Sequence, residues 1–143
     1  MDGLKTALYK KVEAIYNQKM KDICNEKEGW FGAMGMAYIN FAKREPNFFK
    51  LLFMTDTFGE KSLMEIVGST EGDDKVIEGL SAQTGLSAER SKELYAGAWI
   101  ATHGIASLYA TNNCSFSEDE IKRMLENAFF GLVMKLRKEE TKQ

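Results

Sequence analysis

His103 is the one histidine in this chain of 143 residues, and the hydroxyl of Ser107 follows four residues later. On a helix that spacing puts both side chains on one face. A histidine beside a hydroxyl raises the question of nucleophilic catalysis, which also needs a third group to orient the base, and the sequence suggests none. Cys24 and Cys114 stand ninety positions apart, so with a single histidine no sequence-local zinc site can be assembled. They read as free thiols in a reducing cytoplasm. The acidic pairs and runs, Asp73-Asp74 and Glu118 to Glu120, fall where helices begin, and the macrodipole accounts for them. Gly29, Gly32 and Gly35 lie inside a helical pattern rather than after a strand, so they are not a phosphate loop. We therefore expect no enzyme, no metal and no cofactor. For His103 two roles remain open. In an apolar pocket it would hydrogen-bond and orient a ligand; in a core it would be satisfied by a neighbouring acceptor.

The element that carries His103 runs from Ser87 to Asn113, without proline, and is long enough as a helix to span roughly 35 Å. Ser87 suits the N-cap, and Asn112-Asn113 suits a left-handed stop. Gly97, Ala101 and Gly104 make a stripe of small residues for close helix approach, while Trp99, His103, Ala106 and Ala110 mark a second face. Before it, Leu4, Leu8, Val12, Ile15 and Tyr16 recur at helical spacing as far as about Asn25. An Asn25–Glu28 pair could cap a second helix ending near Arg44, in which the three glycines call for close packing or room for a ligand. Pro46 starts a short helix that stops between Thr55 and Gly59, and helical patterning resumes from Glu60 to Val67. Asp73 or Asp74 caps a segment that Gly85 ends. Ser117 with Glu120 is a capping box for a last helix to about Arg137, which must lie antiparallel to the one before it. No strand-like alternation occurs; the class is all-α.

Length suits a single domain over residues 1–143, able to remove roughly two thirds of its unfolded surface from water. Nineteen basic and twenty-one acidic residues leave a charge of -2 with no long block of one sign, which argues against a broad nucleic-acid surface. Apolar runs fall short of the ~20 residues a bilayer requires, and no signal pattern opens the chain. The expectation is a cytoplasmic protein without membrane partners.

Ala98-Trp99-Ile100-Ala101-Thr102-His103-Gly104 resembles the Trp, His, Gly signature of one class of C-terminal domains in TetR-type transcriptional regulators. The stretch from Ala37-Tyr38 through Pro46 to Leu52-Phe53 is similar to the pattern of tyrosine, phenylalanine and proline in that class. Met1 to Leu8 resembles the join between the DNA-binding head and the long connecting helix. The resemblance covers essentially the whole chain. It implies about six helices, a cavity for a small apolar or aromatic effector, and a homodimer in which the last two helices of each subunit form a four-helix bundle. It also implies that operator DNA is bound only through an N-terminal helix-turn-helix head, which this chain lacks. The alternative is a stand-alone helical ligand-binding or scaffold dimer.

Under this resemblance Trp30, Met34, Tyr38, Phe53, Phe58, Met64, Trp99 and His103 line the effector cavity, with Tyr38 the foremost polar contact. Ile105, Leu108, Tyr109, Phe129, Leu132 and Val133 form the dimer interface, because the last two helices carry more apolar positions than one thin domain can cover. The same residues could instead fill an ordinary helical core.

Overall fold

The computed structural model describes residues 2–24, 28–56 and 58–142, and among these every regular element is a helix. They are α1 (Asp2–Cys24), α2 (Trp30–Arg44), α3 (Pro46–Phe53), α4 (Leu63–Val67), α5 (Asp73–Thr84), α6 (Ala88–Thr111) and α7 (Glu118–Thr141). No helix among the described residues is long and apolar enough to cross a membrane.

Local chemistry sets most boundaries. Ser117 Oγ accepts from the Glu120 amide at 3.1 Å, and Glu120 Oε1 accepts from the Ser117 amide at 3.3 Å, the reciprocal box that opens α7. Ser87 Oγ accepts from the Arg90 amide at 3.2 Å at the head of α6. Pro46 sits in the first turn of α3. Gly85, left-handed at φ 78, ends α5 with its amide on the Ser81 carbonyl.

Elsewhere the helices differ from the sequence expectation. α2 starts on the left-handed Gly29 (φ 66), while Asn25 lies outside the described residues. Gly32 has no close neighbour either, since an added Cβ would meet nothing within 4 Å. α4 begins three residues after Glu60 because Ser62 and Glu65 form a second capping box, at 3.3 and 3.0 Å. Gly72 takes the N-cap of α5, and Asp73 and Asp74 occupy its first turn. No described non-glycine residue has a positive φ, so α6 ends without a left-handed asparagine. α7 continues a turn beyond Arg137, because Glu139 pairs with Lys135 at 2.6 Å and with Arg90 at 3.3 Å.

The chain divides into two compact units. The first comprises Met1–Thr57 with His103–Cys114, and so holds α1, α2, α3 and the last turns of α6. Its buried residues are Ala37, Tyr38, Ile39 and Ala42 from α2, Phe49 and Leu52 from α3, and Ala106 and Ala110 from α6.

The second unit comprises Phe58–Thr102 with Ser115–Gln143. Here α6 and α7 run antiparallel, because the Ser87 amide donates to Glu140 Oε1 at 2.9 Å, Arg90 pairs with Glu139, and Gly97 lies against Leu132. The Arg137 guanidinium donates twice to the Thr84 carbonyl, from Nε at 3.1 Å and Nη2 at 2.8 Å. A cation thus meets the negative end of α5. Asp73, at 6% exposure, accepts from the Thr70 amide and from the Tyr95 hydroxyl, each at 3.1 Å, tying the start of α5 to α6. Burial foremost raises its carboxyl pKa, and the two hydrogen bonds oppose that shift.

At Gly97 an added Cβ would overlap Leu132 Cδ2. Gly97→Val should therefore destabilise the fold by about 1–3 kcal/mol through overpacking. Gly32→Ala, in open space, should stabilise it by up to about 1 kcal/mol. Urea denaturation of both variants measures the contrast, and equal shifts of one sign would contradict the packing of α6 on α7.

Candidate functional site

α2 is buried around more than half of its circumference, at Ala37, Tyr38, Ile39 and Ala42, and Tyr38 is 7% exposed. A buried phenol needs a partner for its hydroxyl. Tyr38 finds one on α6: its Oη lies 2.6 Å from His103 Nδ1. His103 is half-buried, and burial lowers its pKa below the ordinary 6.5, favouring the neutral ring. A neutral imidazole can share this hydrogen bond with the phenol in either direction, as acceptor or as donor at Nδ1, according to its tautomer.

Aromatic rings enclose this couple. Phe49, fully buried on α3, has its ring centroid 5.2 Å from that of Tyr38 and 5.8 Å from that of His103. Phe53 stands 4.9 Å from Tyr38, and Tyr16 of α1 lies 5.2 Å from both Phe53 and Phe41. Ala106 and Ala110, buried on the same side of α6 as His103, take up little room beside it. Ser107 does not engage the imidazole: its hydroxyl donates to the His103 main-chain carbonyl at 2.6 Å. Among the described residues no three His, Cys, Asp or Glu side chains gather as a metal site.

Of the eight residues expected to line a cavity, Tyr38, Phe53 and His103 come together here. Trp30 packs edge-on against Phe31 at 5.5 Å, at the start of α2, and Met34 is half-buried one turn later. Phe58 and Trp99 form a separate edge-to-face pair at 6.2 Å within the second unit, where Met64 is half-buried on α4. Sequence reasoning passed over Phe49, Phe41 and Tyr16 as site residues. The run Phe48 to Met54 is too uniformly apolar to show which ring faces inward, so only the fold singles out Phe49.

The first unit also holds a cleft of about 310 Å³ that shares Tyr16 and Phe41 with the aromatic cluster around Tyr38 but is lined by neither Tyr38 nor His103. Val12, Ile15, Tyr16 and Lys19 line it from α1, Ala37, Asn40, Phe41 and Arg44 from α2, and Glu45 and Phe48 complete it. None of the eight expected residues is among them.

The expected interface residues divide by exposure. Val133 is buried at 4% in its own unit, and Leu132 is occupied against Gly97. Ile105, Tyr109 and Phe129 are half-buried, Tyr109 with Lys43 Nζ 5.6 Å from its ring centroid, and Leu108 is exposed. The most exposed apolar side chains of α7 are Met134 at 70%, Phe130 at 58% and Met124, and Ile100 is exposed on α6.

Because the histidine pKa is lowered on folding, its contribution to stability is full above 6.5 and is lost as pH falls below 6.5 towards the folded pKa. Proton NMR of this single histidine should give a pKa under 6.5, and His103→Gln should remove that part of the acid-side decline. Tyr38→Phe should cost about 1–2 kcal/mol by removing the hydroxyl that pairs with Nδ1. A His103 pKa above 6.5 would contradict the buried neutral ring.

No protein-family model, curated protein or solved structure matches the chain.

Proposed function

We propose that this chain is the effector-binding and dimerisation part of a TetR-like transcriptional regulator. In this reading a small apolar or aromatic effector shifts the arrangement of two subunits and so controls DNA binding by a helix-turn-helix head joined ahead of α1. The observation that carries the reading is the Tyr38–His103 hydrogen bond. Tyr38 and His103 belong to the two separate stretches that resemble the regulator class, 65 positions apart in sequence, and they meet in one aromatic cluster. A polar couple walled by rings suits a ligand with an aromatic body and one hydrogen-bonding group. Effector control requires different affinities for the two subunit arrangements.

The exposed apolar residues Ile100, Phe130 and Met134 support a homodimer through α6 and α7. A chain with so much apolar surface on two long helices gains by burying it against a second copy related by a twofold axis. The cytoplasm is the compartment this function requires.

Sedimentation velocity should show a dimer that Phe130→Glu and Met134→Glu convert to a helical monomer, with helicity followed by circular dichroism. A wild-type monomer would remove the dimer from the reading. The regulatory part is tested by translating the source DNA in frame ahead of the Met1 codon: a helix-turn-helix there is the expected result, and a stop codon without one overturns it.

A further inference from the structure

The cleft of about 310 Å³ on the first unit is at the lower end of the range for small-molecule sites, roughly 300–1,000 Å³. Its α1 wall uses Val12, Ile15, Tyr16 and Lys19, at spacings of three and four that place all of them on one helical face. The floor is therefore aliphatic and aromatic, with Phe41 and Phe48 facing it from the other side. Ala37, small and buried, leaves the space that a larger residue would fill.

Charge is not spread evenly over this surface. Lys19 and Arg44 both line the cleft, against the single carboxylate of Glu45. Both cations are exposed, and among the described residues neither is held in an ion pair. The cleft also reaches the start of α3, where Glu45 is the N-cap residue but provides no side-chain cap. The first turn of a helix in that condition favours negative charge. A guanidinium binds a carboxylate with two parallel hydrogen bonds, and an ammonium adds a second point charge. An apolar bed with two unpaired cations at its edge complements a molecule that is apolar along its body and anionic at one end.

We propose that this cleft binds a small amphiphilic carboxylate, its alkyl or aryl body lying on Ile15, Tyr16, Phe41 and Phe48 and its carboxylate held by Lys19 and Arg44. The cleft shares Tyr16 and Phe41 with the aromatic cluster around Tyr38 but includes neither Tyr38 nor His103, and the proposal does not depend on the regulator reading.

Octanoate is a suitable probe, with octanol as its uncharged counterpart. Each is titrated into the ¹⁵N-labelled chain, and the amide shifts are followed. Octanoate should give saturable shifts at Val12, Tyr16, Lys19, Asn40 and Arg44, and should bind more tightly than octanol. In the double variant Lys19→Gln/Arg44→Gln, whose substitutions are both at exposed positions, octanoate should bind about tenfold more weakly, or about 1.4 kcal/mol, with octanol unchanged. Equal octanoate affinity in the double variant would overturn the proposal. So would octanol binding as tightly as octanoate, or shifts that centre on His103 rather than on the cleft.

Discussion

A polar group removed from water must be answered within the protein, and this constraint organises both units. Among the described residues no buried side-chain nitrogen or oxygen is left without a hydrogen-bond partner. In the first unit the phenol of Tyr38, buried among Ala37, Ile39 and Ala42, is answered by His103 of α6. In the second, the Asp73 carboxylate is tolerated because Thr70 and Tyr95 both donate to it. Thr84 uses its hydroxyl to reach the Leu80 carbonyl at 2.6 Å, and its own carbonyl is covered by Arg137. Each answer comes from a particular side chain on a particular helix, so polar satisfaction specifies which helices meet. Apolar burial alone is less selective.

Apolar residues are arranged more loosely. α7 buries Ile121, Val133 and Leu136, yet keeps Met124, Phe130 and Met134 in solvent. α1 likewise leaves Leu4, Leu8 and Ile15 exposed while Tyr16 reaches the aromatic cluster. A helix with one apolar stripe needs one neighbour, and one with apolar residues on opposite sides needs two. This surplus is the physical reason to seek a second copy against α7. In the first unit, the α1–α2 cleft combines apolar walls with cations instead, which suits a smaller and charged occupant.

Much of the fold was legible because helix termini are written in local chemistry. Ser117 with Glu120, Pro46, Gly85 and Ser87 each act at their expected positions. The same Ser-x-x-Glu spacing at Ser62 and Glu65 marks α4, whereas apolar periodicity alone extends the segment back to Glu60. Glycines were harder, since their role depends on what lies opposite. Gly97 meets Leu132, whereas Gly32 and Gly104 face open space, and nothing in their own neighbourhoods distinguishes them. The site was legible in part for the same reason. Tyr38 and His103 stood out by type, but the inward ring of α3 and the pairing of Lys19 with Arg44 along one cleft arise only when sequence-distant helices pack.

The Arg137–Thr84 and Ser87–Glu140 contacts each close 53 residues of chain, and Tyr38–His103 closes 65. Entropy charges little extra for such spans, since closure cost rises only with the logarithm of length. Order in time is affected more. Helices form locally and fast, but contacts across long separations come later and slow folding. During synthesis, α5 and α6 can both be helical while the carbonyl of Thr84 still faces water. The corner at Gly85 stays unlatched until the ribosome has released almost the whole of the last helix.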